Sequence, residues 1–152
     1  MVTQTGSGEG VASVTLHLQF TRGRHGAGAR LDVLERPSGR VGLLSLRGWV
    51  DLSAQRGLEG MLDDVAAREV SRLVVDCSQL LHIDYRLVPR LADSLLRFEA
   101  QVAPVGLCGL SRYLRDLFRI AGCDSRLACW PTVADLLEAP VGAPGRERER
   151  AS

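Results

Sequence analysis

A chain of 152 residues, 45% hydrophobic and 24% charged, is long enough for one domain with a real core. Its net charge of +1 gives no strong field directed at nucleic acid, a membrane surface or an acidic substrate. All 19 cationic residues are Arg, a bias that GC-rich coding produces without any functional demand.

Residues 1–10 are polar and rich in Gly, Ser and Thr. They lack a basic segment followed by an apolar one, which predicts a disordered start and no secretory leader. Val11 to Phe20 alternates, with Val14, Leu16, Leu18 and Phe20 on one side and Thr15, His17 and Gln19 on the other. That period of two predicts a strand over 13–20 inside an N-terminal extension of residues 1–29. Gly23, Gly26 and Gly28 interrupt the pattern. Leu31 and Val33 then predict a short strand, Pro37-Ser38-Gly39 a turn, and Val41 to Leu46 a second strand. The pair reads as a hairpin whose loop is longer than the tightest type.

Ser53 is the predicted N-cap of a helix with Ala54, Leu58, Met61, Leu62 and Val65 on one stripe. Leu73-Val74-Val75 predicts a short strand buried on both faces and ending at Asp76. A connection through Leu80-Leu81-His82-Ile83 leads to Asp84, which caps a helix carrying Val88, Leu91, Ala92, Leu95 and Leu96. Val105 to Cys108 predicts another buried strand. Ser111 caps a third helix through Leu114, Leu117, Phe118 and Ala121, with Gly122 at its C′ position. Leu127 to Cys129 predicts an edge strand, and Thr132 with Asp135 resembles a capping box for a last helix through Val133, Leu136 and Leu137. Residues 140–152, with Pro140, Pro144 and an alternating Arg/Glu run, predict a disordered tail.

This order predicts an α/β domain over residues 30–139: a mixed, mostly parallel sheet with helices packed on it and an antiparallel hairpin at its start. No apolar stretch reaches the ~18 residues of a membrane helix, so no membrane insertion is expected. Cys77 and Cys108 each close an apolar run as core thiols would. There is no C-x-x-C pair, and His17, His25 and His82 are scattered, so no metal and no cofactor is predicted. Together these features predict a protein of the reducing cytoplasm.

The segment Leu73 to Leu96 is the most informative for function. Its strand ends at Asp76-Cys77-Ser78, and Asp84-Tyr85-Arg86 opens a helix. A helix start presents unpaired N–H groups and a positive partial charge, suited to a phosphate or a partner's acidic side chain. Gly48-Trp49-Val50-Asp51-Leu52, Leu73-Val74-Val75-Asp76-Cys77-Ser78, His82-Ile83-Asp84-Tyr85-Arg86 and Gly109-Leu110-Ser111 with the later Gly122 occur in this order. In combination they resemble the STAS family of bacterial anti-sigma-factor antagonists over about Leu31 to Ala139.

The resemblance implies the compact fold of that family and a regulatory protein partner, an anti-sigma factor of serine-kinase type, docked at Asp84, Tyr85 and Arg86. The chain also departs from the family. In phosphoswitch members the residue after the helix-start aspartate is Ser or Thr; here the phosphosite position holds Tyr85, followed by Arg86 and Leu87. The resemblance therefore implies binding without the usual switch, in which phosphate adds roughly −2 charge beside the aspartate. An accessory subunit of an ABC-type lipid-transport ATPase and a module sensing a nucleotide or small anion are the other roles it allows.

Each residue also has a plain structural reading. Asp84 serves as an N-cap while contacting a partner, Tyr85 packs over the helix start, and Arg86 is a surface charge. His82 makes a local hydrogen bond, Asp76 satisfies backbone groups, and Ser78, Ser94 and Ser111 are further hydroxyls open to modification, Ser111 being better explained as a cap. No P-loop, no G-x-S-x-G elbow and no Ser or Cys with an identifiable His partner occurs, so no enzyme activity is predicted. Asp76 and Asp84 are the one carboxylate pair that could converge at a sheet edge. The first strand also suits pairing with a second copy of the chain, since an added edge needs cover.

Overall fold

The computed structural model describes residues 2–6, 12–19, 27–140 and 145. Seven strands form one sheet in chain order: β1 (Val2–Gly6), β2 (Ala12–Gln19), β3 (Gly28–Arg36), β4 (Gly39–Val50), β5 (Arg72–Ile83), β6 (Val105–Cys108) and β7 (Ala128–Trp130). The first three pairings are antiparallel and the last three parallel. Four helices follow the parallel strands: α1 (Leu52–Ala66), α2 (Val88–Gln101), α3 (Arg112–Ile120) and α4 (Val133–Glu138). The mixed sheet, the antiparallel hairpin β3–β4 and the strand–helix alternation agree with the expected fold class.

Several expectations are corrected in detail. Val2–Gly6, read as disordered, forms β1 and pairs with β2, while residues 7–11 lie outside the described residues. The strand expected over 13–20 joins this sheet beside β3; Phe20 is outside the description. The β3–β4 loop is the tightest type, because Arg36 pairs with Gly39 and only Pro37 and Ser38 intervene. Gly39 has a φ of +121°, which a side chain would resist. The N-cap of α1 is Asp51, whose Oδ1 accepts the Ala54 N–H at 2.9 Å, and not Ser53. Except for Pro140 and Gly145, the tail lies outside the described residues.

The largest correction concerns β5. The apolar run at Leu73–Val75 does not end at Asp76: the strand continues for 12 residues to Ile83. Beyond Asp76 the buried positions are Cys77, Leu80 and Ile83, and β4 pairs with the strand to its end across two register shifts, Gly48 with Leu80 and Val50 with Ile83. The supposed connection is strand because β4 is equally long and offers partners to the end. Asp76 and Asp84 are therefore separated along one extended strand at about 3.3 Å per residue and do not converge.

Packing is on both faces. The main core joins Leu31, Leu44 and Leu46 to the apolar stripes of α1, α2 and α3, including Leu58, Val65, Leu91, Leu95 and Leu114. A smaller cluster on the opposite face holds Val41, Val74, Cys108, Trp130 and Leu136 under α4. None of the four cysteines is in a disulfide, and Cys77, Cys108 and Cys123 are buried. On the second face Arg72 is buried and donates from Nη1 to the Ala139 carbonyl at 3.2 Å, tying the end of α4 to the sheet. Burial lowers its pKa from the usual arginine range. No described helix is long and apolar enough to cross a membrane.

Candidate functional site

The parallel part of the sheet gives the site its place. β6 pairs with β5 only up to Asp76–Cys108, and β3 pairs with β4 only to Gly28–Arg47. The last residues of β4 and β5 therefore project beyond their neighbours as a two-stranded ribbon. Gly48 has a φ of +75° and the register shifts between Gly48 and Trp49, so the end of β4 is re-aimed there. The ribbon leads on one strand into α1 and on the other, through Asp84, into α2. The Asp84 N–H donates to the Val50 carbonyl at 2.9 Å and holds the two exits together.

Asp84 caps as the sequence suggested, but it caps a 3-10 turn and not α2 itself, whose N-cap is Leu87. The Asp84 Oδ1 accepts the Arg86 N–H at 3.1 Å and starts a single 3-10 turn, Tyr85–Leu87, before α2 begins at Val88. Leu87 is buried beneath the turn, while Tyr85 stays 49% exposed and Arg86 exposed. The three predicted contact residues thus lie together, with Tyr85 projecting outward and not packed over the helix start.

Residues given little weight in the sequence surround them. Trp49 pairs across the ribbon with His82, their ring centroids 4.9 Å apart. His82 also stacks on Tyr113 of α3 at 5.7 Å, and its Nδ1 lies 2.7 Å from the Tyr113 hydroxyl. His82 thus makes a hydrogen bond as expected, but with a side chain from a distant helix. Among the described residues seven large hydrophobic side chains are exposed: Trp49, Leu52, Leu81, Tyr85, Val102, Tyr113 and Ile120. Five of them stand where the ribbon meets the starts of α1, α2 and α3. The available signal for Trp49 and Tyr113 was their unusual position, an aromatic beside a turn glycine and another one residue into a helix.

The remaining candidates have local roles. Asp76 accepts the Ser78 N–H at 3.0 Å, as the plain reading held. Ser111 caps α3 by accepting the Leu114 N–H at 3.1 Å. Ser94 is buried and donates toward Glu59, a poor place for a phosphate. Among the described residues no group of three or more His, Cys, Asp or Glu could hold a metal ion.

A polar network fixes α2, and with it Tyr85 and Arg86, against α1. Arg90 donates to both oxygens of Glu59, at 2.6 and 3.1 Å, and Gln55 and Ser94 donate to Glu59 as well. The hydrogen bond from Arg90 is the main reason the Glu59 pKa falls from 4.5 to about 2, outweighing the opposing effect of burial. Because the folded value lies below the unfolded one, this contribution to stability is full above about pH 5 and is lost as pH falls toward 2. Glu59→Gln is expected to flatten the acid limb of a stability-versus-pH curve in that window, as measured by urea unfolding at successive pH values. From Arg86 an open groove of about 760 Å³ runs between the two helices.

A family model described as "Mlab, STAS domain" matches residues 33–137. The chain belongs to the STAS domain family. Solved structures carry the same fold. An anti-sigma factor antagonist from Mycobacterium paratuberculosis aligns with this STAS chain at 20% identity and a TM-score of 0.58, covering 81% of this chain and 91% of that one. The anti-sigma factor antagonist SpoIIAA in its unphosphorylated form aligns at 15% identity and a TM-score of 0.53, over 64% and 85% of the two chains. The protein TM1081 aligns at 11% identity and 0.58, over 64% and 79%. No curated protein matches the STAS chain at the same stringency. At these identities the structural likeness concerns the fold alone.

Proposed function

We propose that this STAS chain is a non-enzymatic regulator of the anti-sigma-antagonist type, binding a kinase-like anti-sigma protein at the edge built around Asp84, Tyr85 and Arg86. The observation that carries the reading is the gathering of five of the seven exposed large hydrophobic residues at that edge. Exposed aromatics beside arginine are the composition of binding hot spots. Two structural relatives that are anti-sigma factor antagonists support the same class. Tyr85 stands where switch-type members of the family carry Ser or Thr, so binding is constitutive or controlled at another residue.

Affinity capture from the native cell extract tests this, using the wild-type chain and Tyr85→Ala/Arg86→Glu, which leaves the Asp84 cap in place. Recovery of a kinase-like anti-sigma protein by the wild type, reduced about tenfold or more by the double variant, is the expected result. A second reading, the STAS subunit of an ABC-type lipid-transport ATPase, rests on the same absence of Ser or Thr at position 85. Recovery of such an ATPase in place of a sigma regulator would overturn the first reading in favour of the second.

A further inference from the structure

Helix starts normally collect acidic side chains, because the first turn carries a positive partial charge. At this edge the acidic side chains are confined to the caps Asp51 and Asp84. α1, α2 and α3 all begin here, and none has an acidic residue in its first turn. Arg86 occupies the 3-10 turn ahead of α2, and Arg112 is the first residue of α3. Both are exposed, and neither forms an ion pair among the described residues. The carboxylates at the mouths of α1 and α2, Asp51 and Asp84, are engaged in capping their own helix starts. Between the two arginines lies an apolar surface of Trp49, Leu81, Tyr85 and Tyr113, all at least 44% exposed.

We infer that the segment recognised at this edge is an acidic, amphipathic stretch of a partner protein, its apolar side chains on the aromatic surface and its carboxylates on Arg86 and Arg112. This rests on the edge being the binding surface, and adds the chemistry of what binds. The magnitudes favour protein over other polyanions. Two arginines fall well short of the roughly 6–10 phosphate contacts that give nucleic-acid binding its strength. A membrane surface returns only about 1 kcal/mol per cation. A peptide with carboxylates placed beside apolar anchors uses both halves of the surface at once.

The test is selection of random twelve-residue peptides displayed on phage against the full chain, followed by fluorescence anisotropy with the synthesised winners. Asp or Glu flanking Leu or aromatic residues should dominate the selected set. Arg86→Glu/Arg112→Glu should weaken their binding about tenfold or more, and Trp49→Ser likewise, while Ile120→Ser on the far end of α3 leaves it unchanged. Circular dichroism melting of each variant separates lost binding from lost folding. Neutral or basic winners that still depend on Trp49 would overturn the acidic assignment and leave the edge standing. Winners indifferent to both the Trp49 and the arginine changes would overturn the edge reading as well. Phosphatidylglycerol vesicles or oligo(dT) bound more tightly than any peptide, and released by the charge reversals, would replace the protein partner with a lipid or nucleic acid.

Discussion

Trp49→Ser is expected to weaken partner binding about 30-fold or more while lowering the stability of the free chain only slightly. Truncating a central interface aromatic costs about 2–4 kcal/mol, and a factor of ten corresponds to about 1.4 kcal/mol. Against this, the cross-strand pairing of the ring with His82 is one contribution to the folded state, and such pairs contribute about 0.2–1 kcal/mol. The residue is 44% exposed, so somewhat under half of its area remains for a partner to cover. Tyr113→Phe provides the contrast. It removes the hydrogen bond with His82 but keeps the ring, so it should reduce stability by about 0.5–1.5 kcal/mol and affect binding less than Trp49→Ser does. Calorimetric titration with the captured partner, paired with urea unfolding of each free variant, distinguishes the two effects. If Trp49→Ser binds like the wild type, the aromatic surface is not the contact.

The features readable in the sequence were those governed by local rules. Apolar residues at helical spacing placed α1, α2 and α3, and the caps Asp84, Ser111 and Thr132 are found where they were expected, each accepting a backbone N–H of the following turn. What escaped depended on neighbours far along the chain. Leu80 to Ile83 has no strand signature of its own and is extended because β4 runs beside it; the residues of β4 that pair there are more than thirty positions away. The same holds for the site. Asp84, Tyr85 and Arg86 form a contiguous motif and could be found as one. Trp49, His82 and Tyr113 come from two strands and a helix, and only the sheet brings their rings together. The Gln55–Glu59–Ser94–Arg90 network was invisible for the same reason, since two surface-like polar residues on one helix meet two on another.

Gly106→Val is expected to be among the most destabilising single changes, at about 1–3 kcal/mol, although glycine in a strand ordinarily weakens it. A Cβ at this position of β6 would collide with Leu136 Cδ1 and lie 3.0 Å from the Trp130 ring. Leu136 is wholly buried, the one buried residue of the six-residue helix α4, so it has no room to retreat without lifting the helix off the sheet. α4 would take the Arg72–Ala139 contact with it. Gly60→Ala makes the opposite case. Gly60 lies on the exposed side of α1 with nothing within 4 Å of an added Cβ, so alanine there should stabilise the chain by about 0.4–1 kcal/mol through reduced freedom of the unfolded state. In urea the two variants should shift the unfolding midpoint in opposite directions at similar m-values. α4 covers the face opposite α1, α2 and α3, and the starts of the last two carry Tyr85 and Tyr113. The Gly106→Val chain that remains folded should therefore bind the partner with wild-type affinity, and weakened binding in that fraction would mean that α4 and the edge are coupled through β6.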